Sequence, residues 1–151
     1  MARPTRRTAV RLVEVRKVEV ITVPVVGGRS ILKPEDAVSV LQALILEKDR
    51  EHFVVLHLST RHRVVSVEIA TVGTLSASLV HPREVFKGAF LANAGGIICG
   101  HNHPSGDPSP SPEDLALYDR LKKSGELLGV PLLDFIIVAE SGSWSALSTD
   151  R

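Results

Sequence analysis

Three prolines set the outline of this chain. Pro34, Pro82 and Pro112 open the segments Pro34-Glu35-Asp36, Pro82-Arg83-Glu84 and Pro112-Glu113-Asp114. Proline is at home in the first turn of a helix, where its missing N–H is no loss, and acids there meet the positive end of the helix dipole. Between the three lie short apolar runs bounded by polar residues, as strands require. Helices and strands in this alternation imply an α/β (α+β) domain, a mixed sheet flanked by helices.

The first helix is expected from about 34 to 47, because Ala37, Val40, Leu41, Leu44 and Ile45 form a one-sided apolar stripe. Phe53–Leu58 and Arg63–Ile69 read as two strands joined by a hairpin turn at Ser59-Thr60-Arg61-His62. Leu75–Val80 reads as a third. The second helix starts at Pro82, buries Val85, Phe86, Ala89 and Phe90, and stops at Ala94-Gly95-Gly96, where glycine suits the C-terminal cap. Ile97–Gly100 is a buried strand. The third helix runs from Ser111-Pro112 to Gly129, Leu132–Val138 is a strand, and Trp144–Leu147 is a short edge strand. Before all of these, the Val- and Ile-rich stretch Ala9–Val26 suits one or two strands.

With 151 residues, 44% hydrophobic and 23% charged, the chain can bury roughly 68–70% of its unfolded surface in one core. Residues 9–151 are therefore expected to form a single domain and residues 1–8 a disordered basic arm. Residues 1–30 carry a net +5 and the remainder −4. Such an arm fraying in solvent is the plain expectation, with weak DNA contact as the functional one. The single cysteine, Cys99, excludes an internal disulfide framework and suits a reducing compartment. The N-terminus has no secretory signal, and no run of 18 apolar residues could span a membrane, so a cytoplasmic protein is expected.

The densest chemistry lies in residues 99–114, Cys-Gly-His-Asn-His-Pro-Ser-Gly-Asp-Pro-Ser-Pro-Ser-Pro-Glu-Asp. Residues two apart on an extended segment project to one side, so His101 and His103 can converge on one point. Two imidazoles and a carboxylate, with a fourth position open, form the ligand set of a catalytic Zn²⁺, and Asp114 can supply the carboxylate. Four prolines stiffen the loop that brings the chain back. Ser111-Pro112-Glu113-Asp114 would cap a helix whatever the function, and Asp107 reads as a turn residue. A helix cap, however, does not require two histidines delivered by a buried strand.

The pattern His101-x-His103, seven residues, Ser111, two residues, Asp114 matches the motif of the JAMM (MPN-type, JAB domain) zinc metallopeptidases. Pro82-Arg83-Glu84-Val85-Phe86, Asn93-Ala94, His101 to Pro108 and Leu127 to Asp134 resemble the RadC-like branch of that superfamily. The resemblance covers roughly residues 15–147. It implies a JAMM/MPN-like, cytidine-deaminase-like architecture, a single mixed, curved sheet flanked by helices, with zinc held by His101, His103, Asp114 and a water. It also implies an upstream glutamate as general base. Glu51 matches that place, with Glu47, Glu68 and Glu84 as competitors. Ser111 is implied as the donor to the oxyanion, a task that would compete with capping. The tripeptide His-Asn-His is not the nuclease motif named after those letters.

Two positions depart from the RadC-like pattern: Ser59 stands where Asp is usual and Phe135 where His is usual, which puts substrate-side contacts in question. Full-length members often carry an N-terminal helix–hairpin–helix region, for which the 33 residues before the first helix are too few. The resemblance thus implies zinc-dependent hydrolysis of a peptide or isopeptide bond in a peptide or protein substrate. A DNA-repair-associated accessory factor and a zinc-stabilised interaction domain are the alternatives. Cys99 is expected to be a buried small hydrophobe, and His52, His57, His62 and His81 to be surface or packing residues.

Overall fold

A computed structural model of the chain describes residues 30–45, 49–73 and 80–148. The basic arm, the strands expected between Ala9 and Val26, and Glu47 lie outside the described residues, as does the strand expected over Leu75–Val80 apart from Val80 itself.

Helix α1 (Pro34–Leu44) begins where Asp36 Oδ2 accepts the N–H groups of Leu32 and Lys33. It ends at Leu44 rather than near 47, because Ile45 leaves helical geometry and turns its side chain into the core. Strands β1 (Glu51–Leu58) and β2 (Val64–Gly73) form the expected antiparallel hairpin, with β2 ending four residues beyond the anticipated Ile69. At the turn, Ser59 Oγ accepts the N–H groups of Arg61 and Arg63.

Helix α2 (Pro82–Leu91) is capped by His81, whose Nδ1 accepts from Arg83 N–H. Its end departs from expectation. Asn93, not a glycine, takes the left-handed conformation (φ 52°), which asparagine tolerates because its short polar side chain bonds locally. Gly95 is required for a different reason: a Cβ there would lie 2.8 Å from the Thr60 backbone nitrogen. Strand β3 (Gly96–His103) carries both histidines, helix α3 (Pro112–Leu128) ends on left-handed Gly129 as expected, and β4 (Leu132–Ala139) and β5 (Trp144–Ala146) complete the chain. No helix among the described residues is long and apolar enough to cross a membrane.

The five strands form one mixed sheet in the order β2-β1-β3-β4-β5, with only β3 and β4 parallel. Because side chains alternate between faces, the sheet divides the core in two. Val54, Leu56, Ile98, Ile136 and Val138 pack against α1 on one face. Phe53, Val55, Ile97, Cys99, Phe135 and Ile137 pack against α2 and α3 on the other. Cys99 is fully buried in that second layer, and burial pushes its thiol far above the ordinary range, so it acts as an apolar filler. His101 and His103 follow Cys99 at the two-residue spacing of a strand, which puts them on the α2/α3 face.

Candidate metal centre

Three elements deliver the cluster. β3 presents His101 and His103 from one face, and the first turn of α3 presents Asp114. One ligand atom from each of the three lies within 4.8 Å of the others. Asp114 Oδ1 is 3.0 Å from His101 Nε2, and Asp114 Oδ2 is 3.1 Å from His103 Nε2. The two rings meet edge to face, with centroids 4.8 Å apart.

The loop fixes the orientation of His103. Its Nδ1 lies 2.8 Å from the backbone oxygen of Asp107, which can only accept, so Nδ1 carries the hydrogen. In the neutral ring, Nε2 is then a bare lone pair, and it faces a carboxylate oxygen. Two acceptors at this distance repel unless a proton or a cation lies between them. Further contacts hold the loop: Gly106 N–H donates to His103 O, Asp107 Oδ1 accepts from Ser109 N–H, and Ser145 Oγ of β5 donates to Pro108 O at 2.6 Å.

His101 is more deeply placed, only 1% exposed. Neither of its nitrogens has an aligned hydrogen-bond partner, although Asp114 is near. A buried imidazole left unmatched in this way costs stability unless something else completes it. A divalent cation at the convergence point would take up one nitrogen of each ring and the carboxylate, so the donor set fits the zinc that the sequence pattern implies. Phe135 packs edge-on to the His101 ring at 5.5 Å, and Phe53 stacks at 6.3 Å. Phe135, one of the two departures from the family pattern, is thus part of the aromatic wall that shapes His101. Ser59, the other, lies at the hairpin turn, at the end of β1 opposite Glu51.

Ser111 and Asp114 form a capping box: Asp114 N–H donates to Ser111 Oγ, and Asp114 Oδ2 accepts from Ser111 N–H. Burial pushes the Asp114 carboxyl up, but the His101 ring and the Ser111 contacts outweigh it, and the group is held well below the usual carboxylate range. The cap bond uses a lone pair of the Ser111 hydroxyl, so its hydrogen remains available to donate and the two tasks do not collide.

Glu51 stands at the start of β1, two residues before Phe53. Phe53 pairs with His101, and directly opposed residues share a face, so Glu51 emerges on the face of the histidines, at the His103 end of the pair. It is not one of the three clustered ligands. Among the described competitors, Glu68 is held beside His57 and Glu84 pairs with Lys87 at 2.7 Å. Sequence reasoning missed Asn102, whose side chain bonds to the backbone on both sides of Glu51. It also gave no role to the Asp107 carbonyl or to Ser145.

A family model described as the RadC-like JAB domain matches residues 31–150. The chain belongs to the RadC-like JAB domain family. A UPF0758 protein of Shouchella clausii is 48% identical to this RadC-like domain over 110 residues, which are 73% of this chain and 48% of that protein. UPF0758 proteins of Methanosarcina acetivorans and Desulforudis audaxviator are 43% and 46% identical over 112 residues, 74% of this chain and 49% of each of theirs. The chain spans about half the length of these curated relatives.

Proposed function

We propose that this RadC-like JAB domain is a zinc-dependent hydrolase of peptide or isopeptide bonds. The observation that supports it most is the convergence of His103 Nε2 and the unmatched ring of His101 on the carboxylate of Asp114. His101, His103 and Asp114 would hold the ion. Zinc at such a set supplies Lewis acidity, which polarises a carbonyl and makes hydroxide available near neutral pH.

The remaining work falls to the chain. Glu51 takes the proton of the attacking water and returns it to the leaving amine, a task for a carboxylate on the same face as the ligands. Ser111 Oγ donates its hydrogen to the oxyanion that develops on the carbonyl oxygen. The proposed substrate is a peptide or protein, and the reducing cytoplasm is the compartment that a buried free Cys99 suits.

Assay of the zinc-loaded chain against a library of peptides and isopeptide-linked peptides tests this reading. The wild-type chain is expected to cleave at least one class. Glu51→Gln is expected to lose about 10²–10⁴-fold in rate while keeping its metal, the usual range for removing a general base. A chain that binds zinc but turns over nothing, with Glu51→Gln indistinguishable from wild type, would instead mark a zinc-stabilised interaction domain.

A further inference from the structure

We propose that Asn102 is a positioning residue: its side-chain amide fixes the backbone around Glu51 against the strand that carries His101 and His103. This rests on the reading of Glu51 as the general base. The β1–β3 ladder runs from Leu58–Gly96 to Phe53–His101 and stops there. One residue further on, the Asn102 side chain takes over. Its Oδ1 accepts the His52 N–H at 2.7 Å, and its Nδ2 donates to Arg50 O at 2.8 Å. The partners dictate which way the amide points, because a backbone N–H can only donate and a carbonyl can only accept. Residues 50 and 52 flank Glu51, so both neighbours of the proposed base are tied to one side chain.

That side chain belongs to the residue between the two histidines. By strand alternation it leaves β3 on the α1 face, away from the metal cluster, and it is only 4% exposed. It therefore acts through Glu51 rather than on the ligands. On its other flank the start of β1 is held by pairing with β2, through Glu51–Gly73 and His52–Val72. Towards β3, the Asn102 amide bonds the backbone on either side of Glu51. An apolar replacement would leave the His52 N–H without its acceptor and remove one donor from Arg50 O, so the segment would have reason to move. A shift of about 1 Å at a reacting group is enough to cost on the order of 10²-fold in rate.

The test uses the full chain loaded with cobalt(II) in place of zinc. The visible absorption of the cobalt is titrated against pH in the wild type, Glu51→Gln, Asn102→Ala and the double variant, with cobalt affinity and thermal unfolding measured on each. Removing the negative charge of Glu51 is expected to move the titration midpoint about one pH unit lower. Asn102→Ala is expected to move it in the same direction by at least half as much, with cobalt affinity within about tenfold of wild type, and the double variant should shift no further than Glu51→Gln. Asn102→Ser replaces the alanine variant if the latter does not fold.

A shift with Glu51→Gln and none with Asn102→Ala would overturn the positioning role while leaving the base assignment intact. Fully additive shifts would overturn it too, since Asn102 would then act independently of Glu51. Loss of cobalt binding in a folded Asn102 variant would likewise replace positioning by a structural role at the ligands. No shift with Glu51→Gln would remove the base assignment and this proposal together.

Discussion

Ser111 and Asp114 hold each other through two reciprocal hydrogen bonds, Ser111 N–H to Asp114 Oδ2 at 2.8 Å and Asp114 N–H to Ser111 Oγ at 3.1 Å. The device that starts helix α3 is therefore the device that aims the carboxylate at His101 and His103. Folding the helix and shaping the cluster are one event at this corner.

Ser111→Ala removes the side-chain half of the box and leaves the backbone half. The metal-free chain is expected to lose about 1 kcal/mol, seen as a fall in melting temperature of roughly 2–4 °C. Ser111→Gly should cost only a few tenths of a kcal/mol by this mechanism. Thermal unfolding followed by circular dichroism distinguishes the two.

Gly106 adopts a left-handed conformation (φ 87°) in the loop whose Asp107 carbonyl fixes the His103 tautomer. Gly106→Ala strains that turn and should weaken zinc binding about 10–100-fold, the usual scale for disturbing a group that orients a metal ligand. Gly129→Ala, equally left-handed (φ 74°) but at the far end of α3, should destabilise the fold without that loss. Competition with a chromophoric chelator measures both.

Gly125 lies where α3 meets the segment leading into β4. A Cβ there would sit 2.5 Å from Val130 O, a backbone atom that cannot swing aside. Gly125→Ala should cost about 1–3 kcal/mol through overpacking, read as a lower midpoint in urea unfolding.

His57 on β1 is 3% exposed, with Nδ1 2.6 Å from Ser66 Oγ and Nε2 3.9 Å from Glu68. Burial lowers its pKa from 6.5 to about 4. The unfolded chain then takes up a proton that the folded chain refuses. Stability from this group is intact above pH 6.5 and declines as pH falls towards 4, by up to about 3 kcal/mol. Glu68 works the other way, because burial raises its pKa and the folded chain binds a proton sooner. His57→Gln should flatten the stability profile between pH 6.5 and 4, measured by urea unfolding across that range.

The grouping of His101, His103 and Asp114 was legible because its geometry is local. A strand sets the His101–His103 spacing, and a helix cap sets Ser111 and Asp114. Asn102 was not legible, because its role depends on where the β1–β3 ladder stops, a matter of pairing between residues fifty positions apart. The Asp107 carbonyl carries no side-chain signature at all. Phe135 looked like a departure on the substrate side, and only the register of β4 beside β3 places it against His101. The ends of α1 and α2 shifted for related reasons: Ile45 is drawn into the core, and Asn93 takes the left-handed turn that a glycine was expected to fill.

The most direct measurement is the zinc content per chain of the purified protein, by native mass spectrometry, for the wild type beside His101→Ala, His103→Ala and Asp114→Ala. One tightly held zinc is expected in the wild type, with a severe loss in each variant whose fold survives. Near-zero zinc in all four, or equal zinc in all four, would contradict it.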